Sequence, residues 1–536
     1  VKNKKLNQTK ESVAEAMDRA ARSRYSVIED FNSDPYLGFK TLEESQEGYK
    51  LNSQTEVLSR LLNGENLFIS GPAGSGKTTI INKFIEVLDA DTDGKANVAV
   101  TASTGIAASL IGGKTIHSWS GIGISTDPFD KRNVPPQCWA RRDGIVAADV
   151  LIIDEISMLP YYLFEKLNAL MKYFRRSSKP FGGVQLVLLG DFMQLPPVSK
   201  GNEKIEVTNA SGEKEKIALD TGFCIGKPAW KEAKMRHLYM DKTHRATDKK
   251  LKYVLHKIST NSVDDIARKL INARKGDESM ADPNKTYTRL YTTNSNVDKF
   301  NQQEYLANPN PEKVFSYYSE GEDKYVKQLL KSNNIPELLK LKVGTKVMLT
   351  ANVNLMGEFL PNGSLGVVTK FLGGHVYVRF NNGETYEVPA NGYRHSIKET
   401  IKLSNGSDLV FERDVATVNQ LPLKLAYAIT VHKSQGQTFD GVICDLSKCF
   451  TPGLGYVALS RVRSLDDLIV LDVNERAYKV GEKSLAISNG VKKLAKKARN
   501  LFEEEKEDYN TVLTEHLYRR EVIRNEITTR IEVTDS

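Results

Sequence analysis

Over residues 51–200 short apolar runs alternate with stretches whose apolar residues recur at helical spacing. Asn66-Leu67-Phe68-Ile69-Ser70 is apolar and β-prone, and Thr79 to Leu88 carries the helical repeat. Asn97-Val98-Ala99-Val100-Thr101, rich in β-branched residues after the polar turn at Asp91 to Lys95, predicts a second strand. Val150-Leu151-Ile152-Ile153 and Leu186-Val187-Leu188-Leu189-Gly190 are the continuous apolar runs of strands buried on both faces. A helical stretch from Tyr162 to Phe174 separates them, so the pattern predicts an open α/β domain closing near residue 200.

Elsewhere the period changes. Val343 to Leu349, Gly363 to Val368 and His375 to Phe380 read as short strands with turns at Asn362-Gly363 and Asn382-Gly383, a small β-barrel-like insertion within 341–420. An apolar strand returns at Leu425 to Val431. From Val491 the chain is helical and highly charged, with Lys492-Lys493, Lys496-Lys497 and Glu503-Glu504-Glu505, which predicts a solvated helix. Residues 1–50 alternate charge, and a short amphipathic helix is predicted around Ala14 to Tyr25.

Chemistry concentrates where the strands end. Gly71-Pro72-Ala73-Gly74-Ser75-Gly76-Lys77-Thr78 has the phosphate-binding pattern G-x-x-x-x-G-K-[ST], set between a strand and a helix as that pattern requires. The loop's N–H groups and the helix's positive end face one anion, so Gly71, Pro72, Ala73, Gly74, Ser75, Gly76, Lys77, Thr78 and Thr79 are assigned to ATP. Lys77 would reach the β- and γ-phosphates, and Thr78 would hold Mg²⁺. The buried run ending in Asp154-Glu155 places Asp154 to hold the same ion and Glu155 to polarise the attacking water. Gln54, ahead of the loop, offers a donor and an acceptor to an adenine edge. Gln194 follows the 186–190 strand where it would sense the γ-phosphate.

A polymer track is suggested by the other strand ends. Thr101, Ser103 and Thr104 end a strand among small residues, where a phosphate backbone approaches closely and hydroxyls donate to it. Helix capping is the plainer use of Ser103 or Thr104. Thr115, His117 and Ser118 come next beside Trp119, an aromatic among polar groups, as base stacking requires. The 425–431 strand delivers His432, Lys433, Ser434 and Gln435 together, a set suited to phosphate and sugar contacts, while Gly436 lets a backbone close on the nucleotide.

Composition sets the class without choosing the function. At 536 residues, 40% hydrophobic and 26% charged, the chain is an ordinary multidomain globular sequence. Its net charge of +8 is compatible with a polyanion partner. No run of about eighteen apolar residues is present, and Val1-Lys2-Asn3-Lys4-Lys5 has no apolar signal core, so no membrane association is expected. Cys138, Cys224, Cys444 and Cys449 lack metal-binding or disulfide spacing, which favours a reducing intracellular compartment: nucleus, mitochondrion or bacterial cytoplasm.

Taken together, Gln54, the phosphate loop, 101–107, 115–119, Asp154 to Met158 and Gly190 to Val198 resemble superfamily 1B DNA helicases of the petite integration frequency family, relatives of RecD. Glu165 to Gln185 resembles that family's signature stretch, and the likeness runs from about residue 51 to about 475. It implies two RecA-like P-loop domains, at 51–200 and at 201–340 with 421–480, an SH3-like module at 341–420 and a charged tail at 481–536. Leu238 to Arg245 resembles the fourth motif and Tyr456 to Arg463 the sixth, which implies that Arg245 and Arg461 reach the γ-phosphate from the second domain. His244 stands where relatives often have Phe. The resemblance further implies 5′-to-3′ movement on single-stranded DNA, unwinding of forked DNA by a wedge at Asp127 to Asp143, a monomer, and partners in replication or repair. An ATPase that moves on nucleic acid without separating strands, a non-catalytic binding module, and an RNA track remain alternatives.

Overall fold

The computed structural model describes residues 51–91, 95–123, 127–197, 204–208, 214–218, 222–355, 357–360, 362–402 and 408–504. The helix expected near Ala14 to Tyr25 and the last part of the tail lie outside them. By packing, the described residues form two units: those up to Thr286 with those from Gln435 onward, and Tyr287–Ser434.

In the first unit a six-stranded sheet is built from β1 (Leu67–Ser70), β2 (Val98–Ala102), β3 (Lys114–Thr115), β4 (Val150–Asp154), β5 (Gln185–Gly190) and β6 (Arg236–Tyr239), in the order β3-β2-β4-β5-β1-β6. Every neighbouring pair is parallel. All strands therefore end on the same side, where loops gather into a ligand crevice. β1, β4 and β5 are buried along their whole length, because helices cover both faces of the sheet, as their unbroken apolar runs required. On one side lie α1 (Gln54–Leu62) and α2 (Lys77–Asp91), which share a core with Ile69, Ile152 and Leu189. On the other lies the helix Tyr161–Phe174, with Leu151, Ile153 and Leu188. The same unit holds a parallel pair, Gly441–Leu446 with Leu468–Val473, and the short helix Leu454–Leu459.

The helix Glu482–Glu504 is not a solvated tail. Val491, Ala495 and Ala498 are buried in the two cores of the sheet domain, with Ile487 packed beside them. The spacing of these small apolar residues forms one stripe on the helix, and charged residues fill most of the positions between them. Polar contacts fasten the helix to the start of the domain. Arg60 donates to Ala498 O at 2.7 Å, Arg499 to Leu51 O at 2.7 Å, and Asn52 to Ala495 O at 3.4 Å. Arg60 is fully buried between Glu56 at 3.1 Å and Glu65 at 3.0 Å. Burial raises the Glu56 carboxyl above its usual range, against the pull of Asn52 and Arg60.

The second unit begins with Tyr287–Tyr291 paired in parallel with Ala428–Thr430. Across this pair lies the helix Asn294–Ala307, whose Asn301 exchanges hydrogen bonds with the Ala428 backbone. Of the stretch expected as one β insertion, 346–388 with 423–425 makes a five-stranded antiparallel sheet around its own core. There Asn382-Gly383 makes the expected turn between His375–Phe380 and Thr385–Val388. The rest, Asn391–Lys402 and Asp408–Gln420, is a long hairpin joined by Tyr318–Gly321, with the helix Asp323–Ser332 packed on Ala416 and Val418.

Arg60→Ala should lower unfolding free energy by about 3–5 kcal/mol, because it strands the buried Glu56 carboxylate and the Ala498 carbonyl. Urea unfolding of the two proteins measures this. A loss below about 1 kcal/mol would mean that the buried network does not fasten the terminal helix.

Candidate functional site

The crevice at the strand ends of the first unit contains a cavity of about 230 Å³. Its floor is the loop between β1 and α2. Gly74 and Gly76 have φ of +75° and +84°, a region side chains rarely adopt, and a Cβ at either would meet Arg245 Cβ or Gln54 Nε2 at 2.2 Å. Such close approach leaves no room for side chains. No acid stands in the first turn of α2 to compete for its positive end. Lys77 opens that helix and donates to Gly71 O at 2.8 Å, Pro72 O at 3.1 Å and Ser75 Oγ at 3.3 Å. Those acceptors hold an ammonium where a phosphate would lie.

The acid wall comes from β4. Asp154 and Glu155 are each 9% exposed, and Glu155 sits at φ +52°, a strained backbone for a non-glycine residue. Its N–H donates to Asp154 Oδ1 at 2.7 Å, and Ser103 donates its hydroxyl to Glu155 O at 2.8 Å. Burial, then the charge of Glu155, pushes the Asp154 carboxyl up to about 7. After β5, Asp191 is buried and accepts from Met193 N at 3.0 Å and Gln194 Nε2 at 3.4 Å, while Gln194 Oε1 is buried with no hydrogen-bond partner. Asp191 had no expected role; its signal was only its place between a buried strand and Gln194.

Facing the acids are the arginines. Arg245 donates to Ser460 O at 3.3 Å. Arg461, 1% exposed, donates to Val457 O at 2.8 Å, Gln437 O at 3.1 Å and Ser460 Oγ at 2.8 Å. Burial, then the neighbouring Arg245, lowers Arg461 to about 9. Lys77 and Arg245 are likewise lowered by burial and pulled back by the acids. Three cations against three carboxylates in one desolvated space make a site for a polyanion that carries its own divalent cation.

All of Lys77, Asp154, Glu155, Gln194, Arg245 and Arg461 line this cavity, as do Ala73 to Thr79 and Gly436. Gly71 and Pro72 lie behind Lys77, and Gln54 packs on Gly76 with its Oε1 buried and unpartnered. The arginines expected from a second domain belong to the same compact unit as the loop. There Thr243 Oγ1 donates to Ala73 O at 3.0 Å and His244 N to Gly74 O at 2.7 Å. His244 thus lines the cavity.

Of the residues read as DNA contacts, several are committed internally. Thr101 is fully buried and donates to Ile152 O at 2.6 Å; Ser434 is fully buried and donates to Val431 O at 2.8 Å. Both therefore brace their strand ends instead of facing a track. Gln435 donates to Glu155 Oε2 at 3.1 Å, which puts it in the nucleotide crevice. Short polar side chains next to a turn satisfy local backbone groups first, a preference that a motif's sequence does not display. Thr104 and Thr115 cap the helices that follow them, and His117, Ser118, His432 and Lys433 stay part-exposed. Burial, then Lys424, lowers Lys433 to about 7.

Among the described residues no group of three or more His, Cys, Asp or Glu could hold a metal. A Mg²⁺ ion that arrives with phosphates needs only one or two protein oxygens, and Thr78 and Asp154, which both line the cavity, would supply them. No described helix is long and apolar enough to cross a membrane.

Comparison with known proteins places the chain among helicases. The family model described as PIF1-like helicase matches residues 46–276, and that of the UvrD-like helicase C-terminal domain matches 425–465. The ATP-dependent DNA helicase PIF1 of Danio rerio is 33% identical over 82% of this chain and 64% of its own length. The Pif1 helicase of a Psychrobacter species is 33% identical over 84% of this chain and 72% of its own. A crystal structure of Bacteroides Pif1 with ADP-AlF3 and single-stranded DNA covers 83% of this chain and 98% of that one, at 28% identity and a TM-score of 0.67.

Asp154→Asn should raise the melting temperature of the ligand-free protein at pH 8, equivalent to about 1–3 kcal/mol. The native carboxyl, raised to about 7, is ionised at pH 8 against its surroundings and protonated at pH 6. The advantage of the variant should therefore shrink as pH falls through 7. Calorimetry at both pH values tests this, and an advantage that grows toward pH 6 would contradict the assigned charge.

Proposed function

The chain belongs to the PIF1-like helicase family, and from that premise we propose that it is an ATP-dependent DNA helicase that moves 5′ to 3′ on single-stranded DNA and opens forked duplexes. The observation that carries the proposal is the convergence of Lys77, Asp154, Glu155, Gln194, Arg245 and Arg461 on one cavity above a phosphate loop. In this reading the loop N–H groups and Lys77 hold the phosphates. Thr78 and Asp154 hold Mg²⁺, which supplies charge neutralisation and orientation when bound. Glu155 polarises water at the γ-phosphate, Gln194 senses that group, and Arg245 and Arg461 neutralise the charge that develops there.

Coupling to the track runs through Gln435. Its amide holds Glu155, and it directly follows His432, Lys433 and Ser434 in the chain. Movement of Glu155 onto water releases that amide and so reports hydrolysis to the segment beside it. Thr104, Thr115, His117, Ser118, His432 and Lys433 would contact the DNA backbone, which positions a strand without reading it. At the wedge proposed for 127–143, Trp139 is 48% exposed and packs edge-on against Phe174 at 5.0 Å. It presents an aromatic surface braced by the core, as strand separation needs.

ATP hydrolysis and unwinding on 5′-tailed and 3′-tailed forks, wild type beside Lys77→Ala, test the reading. Unwinding of the 5′-tailed fork alone, lost in the variant, is expected. Unwinding of only the 3′-tailed fork would reverse the polarity, and strand-stimulated hydrolysis without separation would replace the helicase by a translocase. For the track, Lys433→Ala should reduce the salt slope of single-strand binding by about 0.7 at pH 6, where a lysine lowered to about 7 is charged, measured by fluorescence anisotropy. An unchanged slope removes Lys433 from the backbone contacts.

A further inference from the structure

Asp191 is 2% exposed, and its Oδ2 faces both Gln194 Nε2 and the Tyr456 hydroxyl at 3.4 Å, while its Oδ1 fixes the turn at Met193. Tyr456 is itself 3% exposed, and its hydroxyl also accepts from the Ala73 N–H of the phosphate loop. One phenol thus ties the loop to the carboxylate that holds the γ-phosphate sensor. It stands on the helix Leu454–Leu459, just before Arg461.

A second input reaches Asp191 from the terminal helix Glu482–Glu504. Lys492 places its ammonium over the Tyr239 ring at 4.9 Å, in the field of Asp191 and Asp241, and Ser488 bonds the Tyr239 hydroxyl. The other cations facing Asp191 are Lys77 and Arg461, and both line the nucleotide cavity; Glu155 faces it with like charge. Lys492 does not line the cavity. When Lys77 and Arg461 turn to phosphates, Asp191 keeps Tyr456 as its hydroxyl donor, and the Lys492 ammonium over the Tyr239 ring keeps a positive charge on that side.

We propose that Tyr456 and Lys492 are positioning residues for nucleotide hydrolysis, acting through Asp191 to hold the Gln194 amide and the phosphate loop in register. The terminal helix is then part of the motor's working surface and not a structural strut alone. This rests on the helicase reading of the same cavity, and it assigns to a segment outside the matched family regions a part in the rate of hydrolysis.

The test uses the full chain with Lys492→Met, Lys492→Arg and Tyr456→Phe, each checked for a wild-type melting curve. Steady-state ATP hydrolysis is measured at saturating oligothymidylate, and affinity by titration of a fluorescent ADP analogue. Lys492→Met and Tyr456→Phe should lower kcat about tenfold, with KM and ADP affinity within about twofold of wild type. Lys492→Arg, which keeps the charge over the ring, should restore kcat. Wild-type kcat in Lys492→Met, or an equal loss in Lys492→Arg, would overturn the role of the lysine. A Tyr456→Phe defect confined to KM would overturn that of the phenol. Should Lys492→Met fail to fold, Lys492→Arg and Tyr456→Phe still decide the matter. An inactive wild-type chain would instead refute the helicase reading itself.

Discussion

Burial of opposed charges around one loop is the constraint on which the rest of the structure depends. Lys77, Arg245 and Arg461 are lowered by loss of water, Asp154 and Asp191 are raised by it, and each is partly rescued by the other set. A desolvated array of this kind is poorly satisfied by itself. It is satisfied by a ligand that brings negative charge to the cations and a divalent cation to the acids. The charge arrangement therefore favours binding before any ligand arrives, and the parallel sheet provides the rigid frame that holds it. In the proposed function, nucleotide binding and release would change this charge balance sharply, as a motor requires of its fuel site.

Rigidity comes from strands buried on both faces, and the chemistry from what is hung on their ends. Asp154 and Glu155 leave β4 through a strained left-handed residue, braced by Ser103 just past the end of the neighbouring β2. Glu155 is also held by Gln435, whose chain neighbours carry the proposed DNA contacts. In the proposed function a small shift of that carboxylate would be passed through Gln435 to the segment that precedes it. The terminal helix adds a further restraint by clamping Asn52 and Arg60 at α1, the helix that carries Gln54.

Legibility in the sequence followed the range of each interaction. The phosphate loop, the apolar strands around it and the acids ending β4 are local patterns, and the structure places them as read. Lysine pairs hid the stripe of Val491, Ala495 and Ala498, because charge spacing is conspicuous and small buried residues are not. Thr101, Ser434 and Gln435 were misplaced for a different reason. Their motifs name the right neighbourhood, but whether a hydroxyl or amide faces outward depends on which backbone or carboxylate lies within about 3 Å. The long hairpin at 391–420 likewise alternates like any strand pair, and only its partners, Tyr318–Gly321 and the 323–332 helix, separate it from the five-stranded sheet.

By itself the sequence determined the reaction class. A loop that cradles phosphates needs glycines at fixed spacing and a lysine at its end, and a buried strand must end in acids to meet the metal, so that chemistry is written in consecutive residues. Tertiary structure decided which side chains share one cavity and which brace it. It brought Arg245 and Arg461, far apart in the chain, to the acids of one cavity, with Gln435 on Glu155 and Tyr456 on Asp191. Desolvation and hydrogen bonding there depend on three-dimensional neighbours, and no local pattern encodes them.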